Sequence, residues 1–103
     1  ALYFDLIHCL IIYNKFYLGM TNKEILKKQI IYRSMHRGTK EMDLLLGNFV
    51  KKYIEKFGDT ELKDLDNLLL IEDEVIHKWY FEKNSSNAIE STKVSKLLKK
   101  FKL

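Results

Sequence analysis

Turn-forming residues are scarce in this chain, and their scarcity limits the folds that are open to it. Its 103 residues include no proline and only four glycines. A β-sandwich or β-barrel of this length needs many tight turns, which depend on Gly, Pro and Asn-Gly pairs. Hydrophobic residues make up 47% of the chain, enough for one core. The sequence therefore predicts an all-α protein, a compact bundle of about five short helices.

Apolar residues recur at spacings of three and four in five segments, which is the amphipathic helix pattern. The first helix is predicted to begin after a capping box at Thr21–Glu24. We expect Gly38 and Gly58 to end the first two helices in the left-handed conformation, and Asp73 to be the N-cap of the fourth. The helices are predicted over residues 22–36, 40–57, from 59 or 60 to 69, from 73 to about 80, and 91–101.

Each predicted helix presents one apolar face to the core. Gly47 lies inside the second helix, where another helix packing closely against it would explain the missing side chain. The expected inner residues are Leu26, Ile30, Ile31 and Met35; Met42, Leu45, Phe49, Tyr53 and Phe57; Leu62, Leu65, Leu68 and Leu69; Val75, Ile76, Trp79 and Tyr80; and Val94, Leu97, Leu98 and Phe101.

Positive charge is concentrated in the C-terminal part of the chain. The formal net charge is +4, and residues 83–103 hold six lysines against the single acid Glu90. The remainder is therefore close to neutral, whereas a nucleic-acid-binding domain carries positive charge on its folded face. A solvated lysine face explains the tail, and a nucleic-acid or membrane-surface binding module remains the alternative function.

Residues that could carry catalysis or bind metal are isolated in the sequence. Cys9 is the only cysteine, which excludes an intrachain disulfide and a cysteine-based zinc site and favours a reducing compartment. His8, His36 and His77 have no partner at metal-ligand spacing. There is no glycine-rich phosphate loop. We therefore expect no metal, no stably bound cofactor and no enzymatic activity.

The first twenty residues are apolar and aromatic but too interrupted to cross a membrane. Nine uncharged residues separate Asp5 from Lys15, whereas a spanning helix needs about 20. The stretch lacks the basic start of a secretory signal and the arginines of a transit peptide. Because Met20 precedes the capping Thr21, our hypothesis is that Met20 is the native start, residues 1–19 are an upstream extension, and residues 20–103 form the domain. An N-terminal helix that packs on the core is the alternative.

One polar segment stands out between the first two helices. Arg37 and Glu41 flank the helix break at Gly38, so we expect both charged groups to project from one exposed corner, which we call the docking corner (residues 37–41). An arginine fork and a carboxylate can make oriented hydrogen bonds to a partner. A surface ion pair worth about 0–1 kcal/mol is the structural alternative. Catalysis would need a base beside a nucleophile, and none is near.

Around the docking corner the chain resembles the SdhE family, the FAD assembly factors of succinate dehydrogenase. The family's RGxxE hallmark matches residues 37–41, and its aliphatic-Tyr-x-Ser pattern matches Ile31, Tyr32 and Ser34. The E-x-D-x-L-L pattern begins at Glu41, with its Asp at Asp43, and the D-x-x-I-x-x-W pattern ends at Trp79. The EL…YD-x-LL segment matches residues 61–69 with a departure, a leucine at position 65 in place of tyrosine. The likeness spans about residues 25–82.

This resemblance implies a five-helix bundle that binds the flavoprotein subunit of succinate dehydrogenase, and in some bacteria that of fumarate reductase. It implies a non-catalytic role in attaching FAD covalently to that partner. Arg37, Gly38 and Glu41 would contact the partner, with Arg37 pairing with its acceptors and Gly38 allowing close backbone approach. Tyr32, Ser34, Asp43 and Trp79 would support them. We expect a monomer in a bacterial cytoplasm, or in the mitochondrial matrix if the source is eukaryotic.

Overall fold

Five helices account for most of the part of the chain that the computed structural model describes, residues 21–103. They are α1 (Asn22–Met35), α2 (Lys40–Tyr53), α3 (Asp59–Leu69), α4 (Asp73–Phe81) and α5 (Lys93–Lys100). No strand occurs within residues 21–103. The prediction of an all-α bundle of about five short helices is confirmed. The predictions for residues 1–19 and for a domain boundary at residue 20 lie outside the described residues.

Threonine hydroxyls cap the start of three of these helices. The Thr21 hydroxyl accepts the amide of Glu24 at 3.2 Å, as predicted for the start of α1. The other half of the predicted capping box does not form, because the Glu24 carboxylate accepts from the Thr21 hydroxyl and not from its backbone amide. The Thr39 hydroxyl accepts the amide of Met42 at 3.3 Å at the start of α2. Thr92 and Ser95 form a reciprocal capping box at the start of α5. Each bond satisfies an amide that has no partner inside the helix.

The core is built around Phe49, which is fully buried on α2. Its ring centroid lies 4.9 Å from that of Tyr53, 6.3 Å from that of Phe57 and 5.4 Å from that of Phe101. Helix α1 packs on α2 and α3, and α3 packs on α5. The predicted inner residues of α2 and α3 are confirmed as buried or half-buried.

The inner face of α1 differs from the prediction. Ile30 and Ser34 are buried, whereas Ile31 is 40% exposed and Met35 is 59% exposed. Consecutive residues are about 100° apart around a helix. Because α1 packs through the narrow row that contains Ile30 and Ser34, the neighbouring row of Ile31 and Met35 stays at the surface.

The predicted helix ends were partly wrong. No glycine among residues 21–103 has a positive φ, so Gly38 and Gly58 do not act as left-handed C-caps. Helix α1 ends at Met35 before Gly38 is reached, and Gly58 is instead the N-cap of α3. Helix α2 ends at Tyr53, four residues earlier than predicted, in a turn over residues 54–56.

Helix α1 lies over Gly47, but the close packing that was predicted to explain the missing side chain is not found. A Cβ added to Gly47 would lie 3.8 Å from the carbonyl oxygen of Ser34 and 3.9 Å from Cγ of Met35. Both are ordinary van der Waals distances, so α1 approaches this glycine and still leaves room for alanine. Within residues 21–103, no helix is both long and apolar enough to cross a bilayer.

Candidate functional site

The Arg37 side chain lies inside the bundle at the joint between α3 and α4. Only 9% of it is exposed. Its Nη1 donates to the carbonyl oxygen of Leu69 at 2.5 Å, and its Nη2 donates to that of Ile71 at 2.8 Å. Carbonyls at the end of a helix have no intrahelical donor, and this guanidinium supplies one. The prediction that the charged group of Arg37 projects from an exposed corner is therefore wrong.

The carboxylate of Asp73 joins the docking corner to α4. Its Oδ1 accepts from Arg37 Nε at 2.7 Å, and its Oδ2 accepts from the backbone amide of Gly38 at 2.5 Å. The prediction that Asp73 is the N-cap of α4 was wrong by one residue, because Glu72 holds that position. The side chain of Asp73 is thus free to bind the corner.

Gly38 is needed at this position for a reason within the chain. A Cβ added to Gly38 would lie 2.9 Å from Oδ2 of Asp73, closer than a carbon and an oxygen can approach without a shift. The glycine therefore lets the Asp73 carboxylate reach the backbone. Gly38 is itself exposed, so its open side still permits the partner approach that the resemblance implies.

Asp43 fastens the docking corner from the side of α2. Its Oδ1 accepts the backbone amide of Arg37 at 2.7 Å. Two successive amides, those of Arg37 and Gly38, thus donate to two carboxylates from different helices. The segment between α1 and α2 is held at both amides before any partner arrives.

Glu41, like its neighbour Lys40, is a charged residue of the corner that faces solvent. Its side chain is 69% exposed in the first turn of α2, and its Oε2 lies 3.7 Å from Nε2 of His77. The His77 ring packs against Phe81, with 4.7 Å between the ring centroids. The sequence had assigned neither Asp73 nor His77 to the site. Their spacing of four puts both on one face of α4, but the sequence does not link that face to the corner.

The four supporting residues occupy different environments. The Tyr32 ring stacks on His36 with 3.9 Å between centroids, and Asp43 binds the corner as described. Ser34 is buried, and its hydroxyl donates to the carbonyl oxygen of Ile31 at 2.8 Å. Trp79 is buried, with Lys99 Nζ of α5 4.8 Å above its ring. The structure thus brings Asp43 into the corner and places Ser34 and Trp79 in the core.

The arrangement is suited to recognition. Residues 21–103 contain no group of three side chains that could hold a metal ion. An open groove of about 480 Å³ runs between α1 and α2, and its lining includes Ile31, Met35 and Leu44. The corner offers a carboxylate and an exposed backbone turn, and His77 of α4 adds an imidazole beside it. These groups can accept and donate hydrogen bonds.

Comparison with known proteins places these features in a family. A family model described as flavinator of succinate dehydrogenase matches residues 28–102. The chain belongs to this family. The match includes the whole docking corner together with α4, and it confirms the resemblance to the succinate dehydrogenase assembly factors.

Several relatives of this flavinator-family chain carry the name succinate dehydrogenase assembly factor 2, mitochondrial. The Scheffersomyces stipitis protein is 45% identical over 56 residues, covering 54% of this chain and 38% of that protein. The Dictyostelium discoideum protein is 37% identical over 75 residues, covering 73% of this chain and 53% of that protein. The Saccharomyces cerevisiae protein is 43% identical over 61 residues, covering 57% of this chain and 38% of that protein. The chain thus spans about half or less of these relatives, and no solved structure matches it.

Proposed function

We propose that this chain binds the flavoprotein subunit of succinate dehydrogenase and promotes the covalent attachment of FAD to it. The observation that carries the proposal is the match of the flavinator family model to residues 28–102, which extends over nearly the whole described bundle. The relatives' names place those proteins in mitochondria, and we extend this location to the chain in preference to a bacterial cytoplasm. The matrix is the mitochondrial compartment that the resemblance implies. We propose that the chain acts as a monomer.

The corner residues divide into a contact residue and residues that shape the surface. Glu41 is exposed and would accept hydrogen bonds from donors on the partner. Gly38 would allow the partner's backbone to come close, because it carries no Cβ. Arg37 is occupied by acceptors within the chain, so its part in binding is to hold the corner in place.

The mechanism that fits this geometry is conformational. The new bond would join a histidine nitrogen of the flavoprotein to the 8-methyl carbon of its own FAD. Forming this bond from the histidine N–H would put two electrons on the flavin, so the reaction would need an external two-electron oxidant. The bound assembly factor would populate the partner state in which histidine and flavin are aligned. It would hold no FAD of its own.

The test is covalent flavin fluorescence of the flavoprotein after a denaturing gel. The apo flavoprotein is incubated with FAD and oxidant, with and without the full chain or its variants Glu41→Ala and Gly38→Arg. Asp59→Ala is the matched control, because Asp59 is also an exposed acid in the first turn of a helix. We expect a strong signal with the wild type and the control and a weak one with the two corner variants. A parallel reaction with the fumarate reductase flavoprotein tests the second partner that the resemblance implies.

Two other outcomes would change the proposal. A covalent signal that is the same without the chain would refute the function for this partner. Equal signals from wild type and corner variants would keep the function and move the binding site elsewhere.

The basic tail gives weaker support for the alternative of a nucleic-acid or membrane-surface module. On α5, Lys93 Nζ lies 3.8 Å from a carboxylate oxygen of Glu61. Lys99 covers the ring of Trp79. These lysines therefore have partners within the fold. Salt-dependent binding of the chain to anionic vesicles or DNA, lost on deletion of residues 93–103, would favour the alternative.

A further inference from the structure

Two arginines, one within α1 and one in the segment that follows it, each pair with an aspartate, but the two pairs have different results. Arg33 binds Asp66 of α3, and Arg37, one turn later, binds Asp73 of α4. The first pair joins two helices and ends there. In the second, the same carboxylate also accepts the backbone amide of Gly38.

We infer that Asp73 is the positioning residue of the docking corner, an inference that rests on the proposed function. Its carboxylate determines where the Gly38 backbone lies on α4. Because Gly38 leads directly into α2, it also determines where Glu41 is presented. Asp73 would act on the partner only through these residues, since one oxygen is occupied by Arg37 and the other by Gly38.

The corner meets α4 at two points one helical turn apart. The Gly38 amide bonds to Asp73, and the Glu41 carboxylate lies 3.7 Å from the ring of His77. Residues four apart share one face of a helix, so the two contacts together fix the position and the rotation of the corner. The second contact involves exposed groups and is weak by itself. Without the Asp73 contact the corner would keep its residues but lose its fixed position on α4.

The chemistry requires a carboxylate and not merely a polar side chain. Both oxygens of Asp73 accept hydrogen bonds, and the groups that face them are donors only. Asparagine has one oxygen and one NH₂ group. In either orientation of its amide, the NH₂ would face a donor, either the guanidinium or the Gly38 amide. Asp73→Asn therefore preserves shape and removes one of the two anchors.

The main competing explanation is that Asp73 only stabilises the fold, as an acid in the first turn of α4 also would. Asp66→Asn is the matched control, because it weakens the equivalent arginine pair away from the corner. Both variants are compared with wild type in the flavinylation assay, with the full chain titrated against apo flavoprotein, FAD and oxidant. Thermal unfolding identifies a temperature at which all three are folded.

We expect Asp73→Asn to raise the half-saturating concentration of the assembly factor about tenfold, equivalent to about 1.4 kcal/mol, with the maximal rate unchanged. Asp66→Asn should leave both values unchanged. Hydrogen exchange of the Gly38 amide gives a readout that does not need the partner. It should be about tenfold faster in Asp73→Asn than in wild type, and unchanged in Asp66→Asn. Unchanged half-saturation in Asp73→Asn, or an equal increase in Asp66→Asn, would overturn the inference.

A second variant tests the same contact from the other side and covers the case in which Asp73→Asn does not fold. Gly38→Ala places a methyl group against Oδ2 of Asp73 and should also raise the half-saturating concentration. Because a methyl group at position 38 could also hinder the partner, the deciding readout is made without the partner: exchange of the amide proton at position 38 should be about tenfold faster in Gly38→Ala than in wild type. Unchanged exchange would contradict the positioning role. If wild type itself produces no covalent flavin, the proposed function fails and the inference fails with it.

Discussion

Replacing Arg37 with lysine tests directly whether the hallmark arginine acts inside the fold. Lysine keeps the positive charge but replaces a planar fork of donors with one ammonium group. The Arg37 guanidinium donates to Asp73 and to the carbonyl oxygens of Leu69 and Ile71. The single ammonium group of a lysine side chain can bond well to one of these acceptors. The other acceptors lose their charged donor.

The size of the effect follows from those contacts. A hydrogen bond to a charged group contributes about 1.5–3 kcal/mol to stability. Two such bonds would be weakened, but water can replace part of the loss because the Asp73 side chain is 21% exposed. We therefore expect Arg37→Lys to lower the free energy of unfolding by about 2–3 kcal/mol, a large part of the 5–15 kcal/mol that is usual for a domain. For a domain of this size the melting temperature should fall by about 10 °C.

Urea unfolding followed by tryptophan fluorescence measures this change, because the only tryptophan, Trp79, is buried in the core. Arg33→Lys is the control, since Arg33 makes a more exposed pair with Asp66 and should cost less than about 1 kcal/mol. The slope of the unfolding free energy with urea should be the same in all three proteins. If Arg37→Lys lowers the free energy of unfolding no more than Arg33→Lys does, the buried hydrogen bonds of Arg37 do not contribute as described. An interface role for Arg37 would then regain support.

Three further changes test the core, the capping of α2 and the space beside Gly47, each by the same urea titration. Phe49→Ala should cost about 3–5 kcal/mol, because Phe49 is fully buried among aromatic rings; a loss below about 1 kcal/mol would contradict its central place. Thr39→Ala should lower the free energy of unfolding by about 1 kcal/mol through loss of the hydrogen bond from the Met42 amide. Thr39→Ser keeps a capping hydroxyl and should retain the wild-type stability. Gly47→Ala should stabilise the chain by about 0.5–1 kcal/mol, because a Cβ there would meet Ser34 at an ordinary contact distance; destabilisation would show that α1 lies closer.

Sequence reasoning succeeded where the deciding forces are local. The spacing of Met42, Leu45 and Phe49 is a property of one helix, and these residues are buried as predicted. The Thr21 cap depends on a residue three positions away. Helix ends were less accurate, because α2 stops at Tyr53 where no proline or glycine announces a break.

The environment of Arg37 could not be read from the sequence for a related reason. Its acceptors lie 32 to 36 positions further along the chain. They converge on Arg37 only when α3 packs against α1 and brings the start of α4 to the corner. A helix break with a charged residue on each side looks the same whether a side chain points outward or inward. The pattern therefore could not show that the Arg37 side chain turns inward, and whether the docking corner is the binding site stays a prediction.

This inward arginine changes the physical interpretation of the RGxxE pattern on which the resemblance rests. Of its three defined residues, Arg37 binds carbonyls and a carboxylate within the chain, and Gly38 makes room for the same carboxylate. Glu41 alone presents its charge to solvent. A surface that is rigid before binding loses less conformational freedom when the partner docks. Substitutions at Arg37 and Gly38 should therefore impair the proposed docking by moving Glu41. Substitution of Glu41 itself should impair docking while the fold stays intact. Only a comparison of stability with flavinylation separates these two causes.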